Sequence, residues 1–175
     1  MVPSGKVTSR VCPGSVTSTS GNQDKAAGGI LGRAMRTVTM TGNTNTGAVT
    51  AVGAEGYDHD NVMAGGLIGL IDQGAANVPT IVTVTGDVAD CAVKSTVGRA
   101  GFLFAIMNHV SPDAGYQPKA TFTDCKIGGS VEGKVKDGSE TSGPVTVSEA
   151  NMDSYSYSYK GANANLAITG LSFAD

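Results

Sequence analysis

Tryptophan is absent from this chain of 175 residues, and phenylalanine and tyrosine together make up only 5% of it. Large rings are too few to carry a core, so small and branched aliphatic side chains must fill it. Charge is scarce as well: Asp, Glu, Lys and Arg account for 15%, against roughly 25% in an ordinary soluble domain. The 12 Lys and Arg residues are scattered and the net charge is −3, which removes the electrostatic footprint of a nucleic-acid-binding protein. No run approaches the ~18 apolar residues of a membrane span. Met1-Val2-Pro3-Ser4-Gly5 lacks the charged, apolar and small-residue succession of a secretory leader, so the natural chain is expected to extend upstream. Histidine occurs only as His59 and His109, both in expected loops, and there is no Gly-x-Ser-x-Gly elbow, so a nucleophilic triad fails on supply.

What is abundant is glycine, at 25 residues, and much of it falls in a returning phrase. Ala27-Gly28-Gly29-Ile30-Leu31-Gly32 is followed by Ala64-Gly65-Gly66-Leu67-Ile68-Gly69 and by a worn copy, Arg99-Ala100-Gly101-Phe102-Leu103-Phe104. The spacing is 37 residues from Gly28 to Gly65 and 35 from Gly66 to Gly101. Such a period predicts a repeat protein in which each unit buries its apolar face against its neighbours. After each phrase comes a variable stretch and then a strand alternating apolar residues with threonine: Val38–Thr41, Ile81–Thr85 and Ala120–Thr123. A turn and a second short strand close the unit. Gly5–Thr17 matches the second half of a unit, so the chain enters the repeat midway. The glycines are expected to make corners of positive φ and to let the next pass of chain come close.

This order of a Gly-Gly-aliphatic-aliphatic-Gly strand, a Val-Thr strand and a Gly-x-Val strand resembles the GLUG-motif repeats of bacterial surface proteins, best in Gly65-Gly66-Leu67-Ile68-Gly69. In the third copy Ala100 replaces the first glycine and Phe104 the last. The resemblance covers about residues 5 to 133. It implies an all-β, right-handed parallel β-solenoid (β-helix) of about three to four coils, occurring as a tandem module of a larger secreted or cell-surface polypeptide, often an adhesin and often from Bacteroidetes. One structural domain is expected, with repeats over 1–133 and a C-terminal β cap over 134–175. In the cap, Val145–Val147 reads as a short strand, Leu166–Phe173 as a final strand, and Ser154–Tyr159 as a strand whose alternation sets Tyr155, Tyr157 and Tyr159 on one face.

Cys12, Cys91 and Cys125 each precede a Gly- or Ala-Val segment, which predicts equivalent, stacked positions. Inward reduced thiols are the plainer reading of that ladder, a disulfide the alternative, and clustered zinc ligands are missing.

The candidate chemistry is thin. Asp58 and Asp60 flank His59 and can offer a weak divalent-cation site, with a solvated loop as the plain reading. Asp87, Asp90 and Asp124 appear aligned, and Asp90 and Asp124 are expected one rung apart, where acids of this kind bind Ca²⁺ in β-helical enzymes that cleave acidic polysaccharides. Arg33, Arg36 and Arg99 are the candidate cations, expected on another face. Tyr155, Tyr157 and Tyr159 can form a stacking platform for sugars or can pack the cap. The variable stretches Asp72–Pro79 and Asn108–Pro118, the latter carrying Asn108 and His109, are expected to emerge as a binding face. The expectation is thus a non-enzymatic extracellular or cell-surface module, a stalk or an adhesive surface. It needs no cofactor unless Ca²⁺ serves, and its partner is a glycan or a host or bacterial surface protein. The alternative is a polysaccharide lyase or hydrolase.

Overall fold

The computed structural model describes residues 5–19, 25–54, 61–73, 78–107, 117–136, 138–162 and 164–175. It is all-β, with 61% strand and 3% helix. The first pass of chain holds β1 (Gly5–Thr8), β2 (Val11–Cys12), β3 (Val16–Thr19), β4 (Lys25–Gly28) and β5 (Leu31–Ala34). The second holds β6 (Val38–Thr41), β7 (Thr44–Asn45), β8 (Val49–Val52), β9 (Val62–Gly65) and β10 (Ile68–Ile71). The third is β11 (Ile81–Thr85), the long β12 (Val88–Gly101) and β13 (Phe104–Met107). The fourth is β14 (Lys119–Thr123), β15 (Lys126–Lys134), β16 (Val145–Thr146), α1 (Met152–Tyr155) and β17 (Tyr157–Lys160), and β18 (Asn165–Thr169) and β19 (Ser172–Phe173) end the chain.

Three sheets collect these strands. One runs β1-β6-β11-β14-β18, another β17-β13-β10-β5, and the third gathers the remaining strands around β12 and β15. Among the described residues every strand pair is parallel except β15 with β16. Parallel pairing in register brings like residues into columns. Val16, Val49, Val93 and Val131 form one, and Val7, Met40, Val84, Phe122 and Ile168 another. These columns fill the core, where Phe104 stacks on Phe122 with ring centroids 5.6 Å apart. β10 and β13 are buried throughout, as expected of parallel strands covered on both faces. A smaller apolar cluster, Met63, Leu70, Ala105 and Ile106, lies apart from the main core.

The phrase glycines are needed for close approach. A Cβ on Gly65 would strike the carbonyl oxygen of Ile68, and one on Gly28 the carbonyl oxygen of Leu31. Their φ angles are not positive, contrary to expectation. The left-handed corner lies elsewhere, in one column of the two-residue link between the first and third sheets: Ser9, Gly42, Gly86, Asp124 and Gly170 all have φ between 50° and 66°. The third copy of the phrase also shifts by one residue. Gly101 pairs with Gly65, not Gly66, so Phe102 occupies the place of the second glycine and Ala105 that of the last.

The cysteine ladder does not form. Cys12 pairs with Asn45, Cys91 with Gly129, and Cys125 follows the column of Asn43 and Asp87, so the three stand at three different positions. All are free thiols. At the C-terminal end, Ser154–Tyr159 is not one strand: Tyr155 ends α1, while Tyr157 and Tyr159 lie in β17. The expected final strand is broken at Gly170 into β18 and β19, which extend two of the sheets.

Candidate functional site

The fourth pass departs from the others after β15. Its chain turns back at Gly138, where Val135 N–H donates to the Ser139 carbonyl at 2.9 Å, then makes β16 antiparallel to β15. Asn151 ties the entry of the short helix, accepting from Ser148 N–H at 2.8 Å and donating to the Thr146 carbonyl at 3.2 Å. Between this excursion and β15 opens a cavity of about 420 Å³ lined by Val135, Lys136, Ser139, Asp153, Ser154 and Tyr155. Lys136 Nζ donates to the Asp153 carbonyl at 3.2 Å and lies 4.7 Å from the centre of the Tyr157 ring. An ammonium, a carboxylate, two hydroxyls and an aromatic ring in one open hollow suit a neutral polar ligand with apolar C–H faces.

Of the three tyrosines, only Tyr155 lines that hollow. Tyr157 is stacked on Phe104, centroids 5.0 Å apart and 8° from parallel, with Lys136 over it. Arg99 sits 4.7 Å from the centre of the Tyr159 ring. Cations and a core ring therefore engage the faces that a shared sugar platform would need. Asp58, Asp60, His59, Asn108 and His109 lie outside the described residues.

The acids do not align as expected. Asp90 pairs with Gly128 in the ladder, whereas Asp124 occupies the exposed left-handed corner four positions before Gly128 in its own pass. Asp87 is fully buried, accepting from Asn43 N–H at 2.9 Å and from Asn43 Nδ2 at 3.0 and 3.2 Å. Burial pushes its carboxyl above the ordinary value, and the Asn43 bonds restrain the rise. Arg33 is engaged by Asp72, with Nε donating at 2.9 Å, and Arg36 donates to the Met35 carbonyl at 2.8 Å. Among the described residues no three His, Cys, Asp or Glu side chains converge on a cation position.

Sequence reasoning missed Lys136 and Asp153, which fall in what reads as a polar loop and just ahead of a tyrosine strand. The available signal was the break in the repeat itself, because residues inserted between two strands that still stack must bulge from the surface. No protein-family model, curated protein or solved structure matches the chain.

Proposed function

We propose that the chain is a right-handed parallel β-solenoid of the GLUG-repeat kind, serving as a non-enzymatic binding module or stalk in a larger secreted or surface-exposed bacterial polypeptide. The observation that carries this reading is the in-register parallel stacking of successive passes in all three sheets. Such a stack is a rigid, extendable rod whose insertions are free to vary. The fourth-pass hollow around Tyr155 is the place where it would hold a glycan. Low charge and a surface rich in Thr, Ser and Asn suit a position outside the cell.

A glycan-array screen of the purified chain, with and without Ca²⁺ and followed by product analysis on any polysaccharide retained, tests the reading. Retention without cleavage, weakened about tenfold or more by Tyr155→Ala or Lys136→Ala as for a central binding contact, is the expected result. Ca²⁺-dependent cleavage would replace the reading with a carbohydrate-active enzyme.

A further inference from the structure

The outer face of the β1-β6-β11-β14-β18 sheet is a threonine array. One column reads Thr8, Thr41, Thr85, Thr123 and Thr169, and the next reads Lys6, Thr39, Thr83, Thr121 and Ala167. Thr41, Thr83, Thr85 and Thr121 are exposed, and Thr39 and Thr123 are half-buried. The central three strands thus carry an uncharged block of two threonines each. None of those hydroxyls has a hydrogen-bond partner among the described residues. Opposite them, Met40, Val84 and Phe122 are fully buried, so the core pins the orientation of each strand. The β-branched side chain is stiff at χ1, so hydroxyls and methyls stand in a fixed pattern and lose little entropy on binding.

We propose that this face binds the surface of an ice crystal. Adjacent strands lie about 4.8 Å apart, and alternate residues of a parallel strand about 6.6 Å. Oxygens joined by hydrogen bonds of about 2.75 Å at the tetrahedral angle repeat at about 4.5 Å in one direction and about 7.3 Å along the hexagonal axis. The mismatch between neighbouring strands is about 0.3 Å, so across the three central strands it accumulates to about 0.6 Å, and between the two threonines of one strand it is about 0.7 Å, each comparable with the spread of hydrogen-bond lengths. Hydroxyls can occupy water positions in the lattice while the methyls between them exclude mobile water. The block is uncharged, like the lattice it meets, with Lys6 and Lys119 outside it. This inference rests on the sheet and is independent of the glycan reading, which rests on the hollow at Tyr155.

The test is inhibition of ice recrystallisation by the whole chain, against serum albumin at equal concentration. Wild-type protein is expected to keep crystals small. Thr83→Lys, at the centre of the array, is expected to raise the concentration required by about tenfold or more, as a charged head does at the centre of a complementary interface. Thr50→Lys, on β8 of another sheet, is expected to change nothing. Thr83→Val preserves shape and strand propensity, and a partial loss there would show that the hydroxyl matters, with circular dichroism reporting that each variant is folded. An inactive wild-type protein, Thr83 variants as active as wild type, or equal loss in Thr50→Lys would overturn the proposal. So would adsorption to crystalline cellulose without any effect on ice.

Discussion

Replacing Asn43 by alanine should be a costly polar substitution, because one side chain serves three partners inside the stack and one of them is a buried carboxylate. Its Oδ1 accepts from Arg10 N–H at 3.1 Å, and its Nδ2 donates to the Val7 carbonyl at 3.2 Å and to the Asp87 carboxylate at 3.0 Å. The three bonds tie the first, second and third passes together. The bond to a charged acceptor contributes about 1.5–3 kcal/mol and the two neutral ones about 1 kcal/mol each, so Asn43→Ala should cost about 3.5–5 kcal/mol. Against a total stability of about 5–15 kcal/mol, and at about 2–4 °C per kcal/mol for a domain of this size, the midpoint of thermal unfolding should fall by roughly 10 °C.

The pH dependence separates this account from a simple packing loss. Asp87 already has a folded pKa above its ordinary value of 3.8. A carboxyl raised in the folded state binds protons more readily than the unfolded chain. Its protonated form therefore stabilises the fold at low pH, and that contribution is lost as pH rises through the folded value. Removing the Asn43 amide takes away a group that favours the ionised form, so the folded value should rise further. The deficit of Asn43→Ala relative to wild type must then be largest at neutral pH and shrink on mild acidification. Urea unfolding of both proteins at neutral and mildly acidic pH measures it. A deficit under about 1 kcal/mol, the worth of one neutral bond, or one that does not change with pH, would refute the assignment of Asn43 as the partner holding Asp87.

Gly65→Ala places a methyl against the Ile68 carbonyl, a backbone atom that cannot step aside, so a loss of about 3 kcal/mol or more is expected in the same unfolding assay. Asp124→Gly should act in the opposite sense. Asp124 holds φ at 52° where Gly42, Gly86 and Gly170 hold the same corner, and relief of about 1 kcal/mol of left-handed strain should outweigh the added unfolded-state entropy, leaving about 0.5 kcal/mol of stabilisation by denaturant titration. Burial pushes the Cys91 thiol up to about 12 and the Cys125 thiol up to about 11. Since the thiolate is the reactive form, a thiol-specific reagent at pH 8 should modify Cys12 alone in the folded chain and all three cysteines after denaturation, read by mass spectrometry.

How far the fold was legible follows from which signals are local. The alternation in Val38–Thr41, Ile81–Thr85 and Ala120–Thr123 reports burial on one face of a strand, and each became a strand of one sheet, paired in the order of the chain. The glycine phrase marked the corner before β10, although close approach and not a positive φ is what demands it. Register is a different kind of information. Cys12, Cys91 and Cys125 precede similar residues, yet equivalent positions are set by Arg10, Asn43, Asp87 and Cys125, spaced 33, 44 and 38 residues apart. With passes of unequal length, likeness of neighbours cannot say which residues stack. The tyrosine alternation failed for a related reason. A period of two reads as a strand only where the chain is extended, and Tyr155 falls in a helical turn entered where Asn151 and Met152 N–H donate to the Ser148 carbonyl.

The unequal passes nevertheless stack because one connection never varies. Between the first sheet and the third the link is always two residues: Ser9-Arg10, Gly42-Asn43, Gly86-Asp87, Asp124-Cys125 and Gly170-Leu171, the first of each pair in the left-handed region. Backbone bonds run through this corner without a break, from Ser9 N–H to Thr41, Gly42 to Thr85, Gly86 to Thr123 and Asp124 to Thr169, at 2.9–3.0 Å. A one-residue change here would swap inward and outward side chains in the strand that follows, so length variation is confined to the other connections. The last threonine column borders this invariant corner directly. The same geometric demand that holds successive passes in register therefore also keeps insertions away from that edge of the face, while the fourth pass is free to bulge at its far end and build the hollow around Tyr155.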